Sequence, residues 1–158
     1  MLKYPLERLL DVRRRREDDA AVVVREARAA HQAAVQDKEQ AEWTLSDYQR
    51  ERQELENRRY AEVLGQQVHR RELDDLMFDL GQFAQRENAL MQLSLEADKM
   101  VDQRREELAR AEAGYRTAYR ARAKIDEHRK IWLRKAEQEA ERQQEKEFED
   151  FRVRKELG

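Results

Sequence analysis

The chain has 158 residues, of which 43% are charged and 39% hydrophobic, yet its net charge is only −2. Large apolar side chains are too few to close a spherical core, because burial has to offset chain entropy, and four glycines with one proline in a chain rich in helix-forming residues argue against disorder. No cysteine is present, which excludes disulfides and thiolate metal sites; no apolar run approaches the ~20 residues of a membrane span, and no signal-peptide segment opens the chain.

What remains is long helix. Pro5 is the only proline, and a proline in a first turn is tolerated because its missing N–H would be unpaired there anyway. Helix A is expected from about residue 5 to 64. Counting by sevens gives Leu6, Arg13, Ala20, Ala27, Ala34, Ala41, Tyr48 and Leu55, a repeat that signals a supercoiled helix. Its companion column, Leu9, Val23 and Ala30 followed by Asp37, Thr44 and Glu51, is patchy. The middle of the seam is built from alanine, which lets two backbones approach closely.

The segment Val63-Leu-Gly-Gln-Gln-Val68 is the expected turn, over about 64–68, since Gly65 can take the left-handed conformation that ends a helix. A second reading puts the break at Asp79-Leu-Gly-Gln82, where Asp79 and Gln82 have capping-box spacing; with the first reading preferred, that stretch is expected as a kink or a short connecting helix.

Helix B is expected from about 68 to 156. Counting by sevens gives Leu76, Phe83, Leu90, Ala97, Arg104, Ala111, Ala118, Ile125 and Trp132; a second column runs Leu80, Glu87, Ser94, Val101, Leu108 and Tyr115. A fold at residues 65–66 matches Leu55 with Leu76, Tyr48 with Phe83, Ala41 with Leu90 and Leu6 with Ile125. The fold class is therefore all-α: one domain over 1–158, a long antiparallel two-helix coiled-coil hairpin. This register leaves helix B without a partner beyond Ile125, an overhang of about 45 Å. The overhang is nearly all polar until Phe148 and Phe151, exposed aromatics of the kind that mark a partner or a solvated tail.

Enzyme signatures are missing: no P-loop, no glycine-rich dinucleotide fingerprint, no His-Glu-x-x-His. His31, His69 and His128 are separated in sequence and charged in surroundings, so they read as solvated residues. Carboxylate pairs such as Asp18-Asp19 and Asp74-Asp75 read as solvated helix faces. The run Arg13-Arg-Arg-Arg16 is followed at once by Glu17-Asp-Asp19, which favours a solvated or docking face over phosphate binding. The near-neutral balance gives no reason to expect nucleic acid. No catalysis, metal or cofactor is expected, and the protein is read as a cytoplasmic monomer with no membrane insertion that acts by contact.

The opening Tyr4-Pro-Leu-Glu-Arg-Leu-Leu10 and the stretch Ile131-Trp-Leu-Arg-Lys-Ala-Glu-Gln-Glu-Ala140 resemble the two ends of the YscO (SctO) family of type III secretion proteins. Leu45-Ser-Asp-Tyr48 resembles a segment of FliJ, the flagellar counterpart. The resemblance implies an antiparallel coiled coil similar to the γ stalk of rotary ATPases. It implies binding to the hexameric export ATPase at the end carrying both termini, and to the cytoplasmic ring of the export gate elsewhere. It also implies escort of empty secretion chaperones. The ATPase-facing candidates are Leu6, Leu9, Arg13 and Arg16, with Phe148 and Phe151 opposite; the gate-facing candidates are Leu45, Tyr48, Leu76, Leu80 and Phe83. Leu76, Phe83 and Tyr48 also lie on the expected seam, where core is the more ordinary role. A flagellar component or a purely structural coiled-coil scaffold would share the same periodicity.

Overall fold

Two helices account for nearly the whole fold in the computed structural model, which describes residues 2–158. Helix α1 spans Glu7–Val63 and helix α2 spans Arg70–Leu157. They pack antiparallel, and no strand occurs among the described residues. Chain packing divides the pair into two units. A terminal unit combines the chain up to Arg25 with Arg110–Gly158, and a turn unit comprises Glu26–Ala109.

The helix ends follow from local chemistry. Pro5 lies in the turn just ahead of α1, and Glu7 in the first turn complements the helix dipole. At the other end Gly65 adopts φ 77°, a conformation that costs an L side chain about 1–2 kcal/mol and that glycine adopts freely. Residues 64–69 contain no separate connecting helix, and α2 runs unbroken through Asp79–Gln82. The carbonyl of His69 accepts from the amides of Glu72 (2.9 Å) and Leu73 (3.2 Å), so it satisfies donors that every helix start leaves open.

On α2 both expected columns face the partner. Every residue from Leu76 to Trp132 in the first, and from Leu80 to Tyr115 in the second, is buried or half-buried. The second continues through Arg122, Arg129 and Ala136. On α1 the first column is also covered from Arg13 to Leu55.

The companion column of α1 is different from the expected one. Leu9, Val23, Asp37 and Glu51 are exposed and only Ala30 and Thr44 are half-buried, whereas the column covered without a break lies one position on: Leu10, Glu17, Val24, His31, Lys38, Leu45, Arg52 and Arg59. Five of these eight residues are ionic or imidazole, so an apolar count passes over the column. Its stems cover the seam while their heads reach across.

The register differs as well. Tyr48 does meet Phe83, its hydroxyl donating to the Phe83 carbonyl at 3.3 Å. The ion pairs lie further along: Lys38 meets Asp98 (2.8 Å) rather than Leu93, and Glu17 meets Arg122 rather than Gly114. These ion pairs reach five and eight residues past the expected partners, while Tyr48–Phe83 is the expected pair. Packing also passes beyond Ile125: Trp132 and Ala136 remain half-buried, and full exposure begins at Glu137.

Candidate functional surfaces

In the terminal unit, the segment before α1 is fastened to α2. Tyr4 is only 5% exposed. Its hydroxyl oxygen lies 2.5 Å from Nδ1 of His128, and its ring meets Trp132 edge-on at 5.6 Å. His128 is exposed, as its charged neighbours suggest, and is at the same time the partner that fastens Tyr4. Leu10, with no exposed surface, is the best buried side chain in the protein. Arg129 donates from Nε to Glu7 (3.1 Å). Arg122 forks onto Glu17 through Nε (2.6 Å) and Nη2 (3.2 Å), and donates to Asp126 (2.9 Å). The Arg122 guanidinium holds the Asp126 carboxyl below the usual carboxylate range.

These contacts leave a set of apolar groups outside. Leu6 (38%) and Leu9 (37%) are part-exposed, as are Leu2, Val12, Val22 and Val23. Arg13 is half-buried in the seam and Arg16 is exposed. Phe148 (66%) and Phe151 (65%) are exposed and, with Arg152, Lys155 and Glu156, line a shallow trough on α2. The two candidate sets are not opposite one another. Arg129 and Leu133 are the α2 residues that share a hollow with Leu2, Tyr4 and Pro5, and Phe148 lies about 20 Å beyond Leu133 along the helix. The length by which α2 outruns the start of α1 is the cause.

In the turn unit, the candidates divide. Leu76 is 5% exposed, and Leu45, Tyr48, Leu80 and Phe83 are half-buried. Leu76 is core, and its surface is spent on α1. Burial pushes the Tyr48 phenol up from its ordinary value. Around it Glu87 accepts from Gln49 (3.1 Å) and from Arg52, and Arg52 also donates to Glu56 (2.7 Å). Arg52 and Gln49 together hold the Glu87 carboxyl below its ordinary value. Arg59 ties Asp79 (2.8 Å) and Glu62. His31 Nε2 and Arg59 Nε are buried without a partner.

The accessible apolar surface of this unit was not among the candidates. Tyr60 (46%), Leu64 (74%), Leu73 (44%), Met77 (67%) and Phe78 (65%) are all exposed near the turn. Four of them, all but Leu73, stand off the seam columns. That is the signal that could have found them: a large apolar residue outside the heptad seam has no packing role to account for it. Trp43, 60% exposed on α1, stands out in the same way. Among the described residues no group of three or more carboxylates and histidines could hold a metal ion. No described helix is long and apolar enough to cross a membrane.

Comparison with known proteins gives a consistent result. The family model described as type III secretion protein YscO matches residues 6–154. Among solved structures, type III secretion protein YscO from Vibrio parahaemolyticus superposes with a TM-score of 0.83 at 27% identity, covering 92% of each chain. A putative YscO homolog from Chlamydia trachomatis has the same fold, with a TM-score of 0.76 at 22% identity over 96% of this chain and 93% of the other. No curated protein sequence matches.

Proposed function

The chain belongs to the YscO family of type III secretion proteins, and from that premise we propose that it is the stalk of the export apparatus. In this reading it binds the hexameric secretion ATPase through its terminal unit and the cytoplasmic ring of the export gate through its turn unit. It also escorts emptied secretion chaperones, works in the cytoplasm at the inner-membrane apparatus, and has no catalytic role of its own. The injectisome branch, rather than the flagellar one, agrees with the family whose model matches.

One observation carries the reading. Phe148 and Phe151 stand two-thirds exposed on a stretch of α2 that nothing in the chain covers. Aromatic side chains presented on an uncovered helix are the usual anchors of a protein interface. Leu6 and Leu9 add apolar surface to the same unit. At the gate-facing end, Leu73, Met77 and Phe78 offer the free surface that the buried Leu76 cannot.

A stalk acts by contacting states of a ring unequally, because a ligand shifts an equilibrium only through differential affinity. The asymmetry of two helices of unequal length, Glu7–Val63 and Arg70–Leu157, suits that task. The test is capture of the cognate export ATPase by the full chain, with ATP turnover and hexamer formation followed. Binding lost on Phe148→Ala with Phe151→Ala, and retained on Phe78→Ser, supports the assignment of ends. No capture and no change in turnover by the unaltered chain defeats the stalk reading.

A further inference from the structure

The near-zero net charge hides a segregated pattern on the solvent face of α2. Arg116, Arg120 and Lys124 follow one another at intervals of four, and so do Glu141, Glu145 and Glu149. All six are exposed. At 100° per residue they fall on the outward side of one helix, away from the seam of Ala111, Ala118 and Ile125. None of the six forms an ion pair among the described residues. The usual surface pattern sets opposite charges four apart, whereas like charges at that spacing repel. Each line of three is therefore self-repelling, and each carries the charge that the other line lacks.

We infer that this face is self-complementary and pairs with the same face of a second copy, the two α2 helices lying antiparallel. A twofold axis at the level of Trp132 and Leu133 brings Arg116 opposite Glu149, Arg120 opposite Glu145 and Lys124 opposite Glu141 of the second copy. The symmetry repeats all three, as any isologous contact does. The spacing of four on both sides keeps the pairs in step along the whole contact. Arg142 and Lys146 flank the acidic line and limit its strength. Exposed ion pairs are individually weak, so the pairing is reversible, concentration-dependent and sensitive to salt. It does not rest on the secretion reading and would hold for a coiled coil of any function.

Sedimentation equilibrium of the full chain tests it. The expected result is a monomer–dimer equilibrium whose association constant falls at least about tenfold when salt rises from about 50 mM to about 500 mM, as screening shortens the range of the charges. Two triple variants supply the decisive arm. R116E with R120E and K124E makes the face wholly acidic; E141K with E145K and E149K makes it wholly basic. Each alone should be monomeric at low salt, and their equimolar mixture should form a heterodimer. Circular dichroism checks that both remain helical. Because the chain has no cysteine, mixing K124C with E141C under mild oxidation reads the register directly as a crosslinked heterodimer. A monomeric unaltered chain at low salt overturns the inference. So does a triple variant that still self-associates, or a mixture that stays monomeric.

Discussion

The hydroxyl of Tyr4 lies 2.5 Å from Nδ1 of His128, so a residue ahead of the first helix is fixed to a point far along the second. Tyr4→Phe removes the hydrogen bond and keeps the ring against Trp132. It is expected to cost about 1 kcal/mol, the ordinary net worth of a buried hydrogen bond. Tyr4→Ala also removes the packing and should cost about 3–5 kcal/mol. Thermal melts followed by circular dichroism separate the two.

Leu10 and Leu6 differ by one turn and should differ sharply. Leu10 has no exposed surface and Leu6 has 38%. Leu10→Ala is expected to destabilise by about 2–5 kcal/mol, while Leu6→Ala should stay within about 0.5 kcal/mol of the unaltered chain. Equal costs would restore Leu6 to the seam.

That contrast also shows what the sequence made legible. The all-helical hairpin and both columns of α2 follow from apolar residues repeating by sevens. The second column of α1 does not, because Glu17, Lys38, Arg52 and Arg59 occupy it and find their partners on the other helix. Long ionic side chains reach several residues along a helix, so their pairing sets a register that small residues such as Ala20, Ala27 and Ala34 leave open. The exposed Met77 and Phe78 are illegible for the opposite reason. They stand next to the seam residue Leu76, and a seven-residue periodicity marks only the seam.

Acid should loosen the helix pair in a defined window. Arg52 and Gln49 lower Glu87, Lys38 lowers Asp98, and Arg122 lowers Asp126. A carboxylate whose folded value is depressed contributes stability above its unfolded value, and loses it as pH falls through the folded one. The melting temperature should therefore be level from neutrality down to about pH 5 and drop below about pH 4, where unperturbed carboxylates protonate. Glu87→Gln should lower the plateau and shallow the drop. A melting temperature that rises below pH 4 would contradict these pairings.

Gly65→Ala isolates the turn. No atom lies within 4 Å of the added methyl group, so the φ of 77° is the whole obstacle. The substitution should cost about 1 kcal/mol and leave helix content unchanged. A chemical denaturation midpoint that does not move would mean that the loop relaxes without strain.

Beyond Ala136, α2 is bathed in water on every side, so it lacks the tertiary packing that supplies most helical stability in proteins. Its backbone amides should then exchange with deuterium orders of magnitude faster than those around Leu10 or Leu90. A ligand that settles on Phe148 and Phe151 would appear first as a slowing of that exchange. The free end of the helix is thus a built-in reporter of occupancy, readable by mass without labelling either molecule.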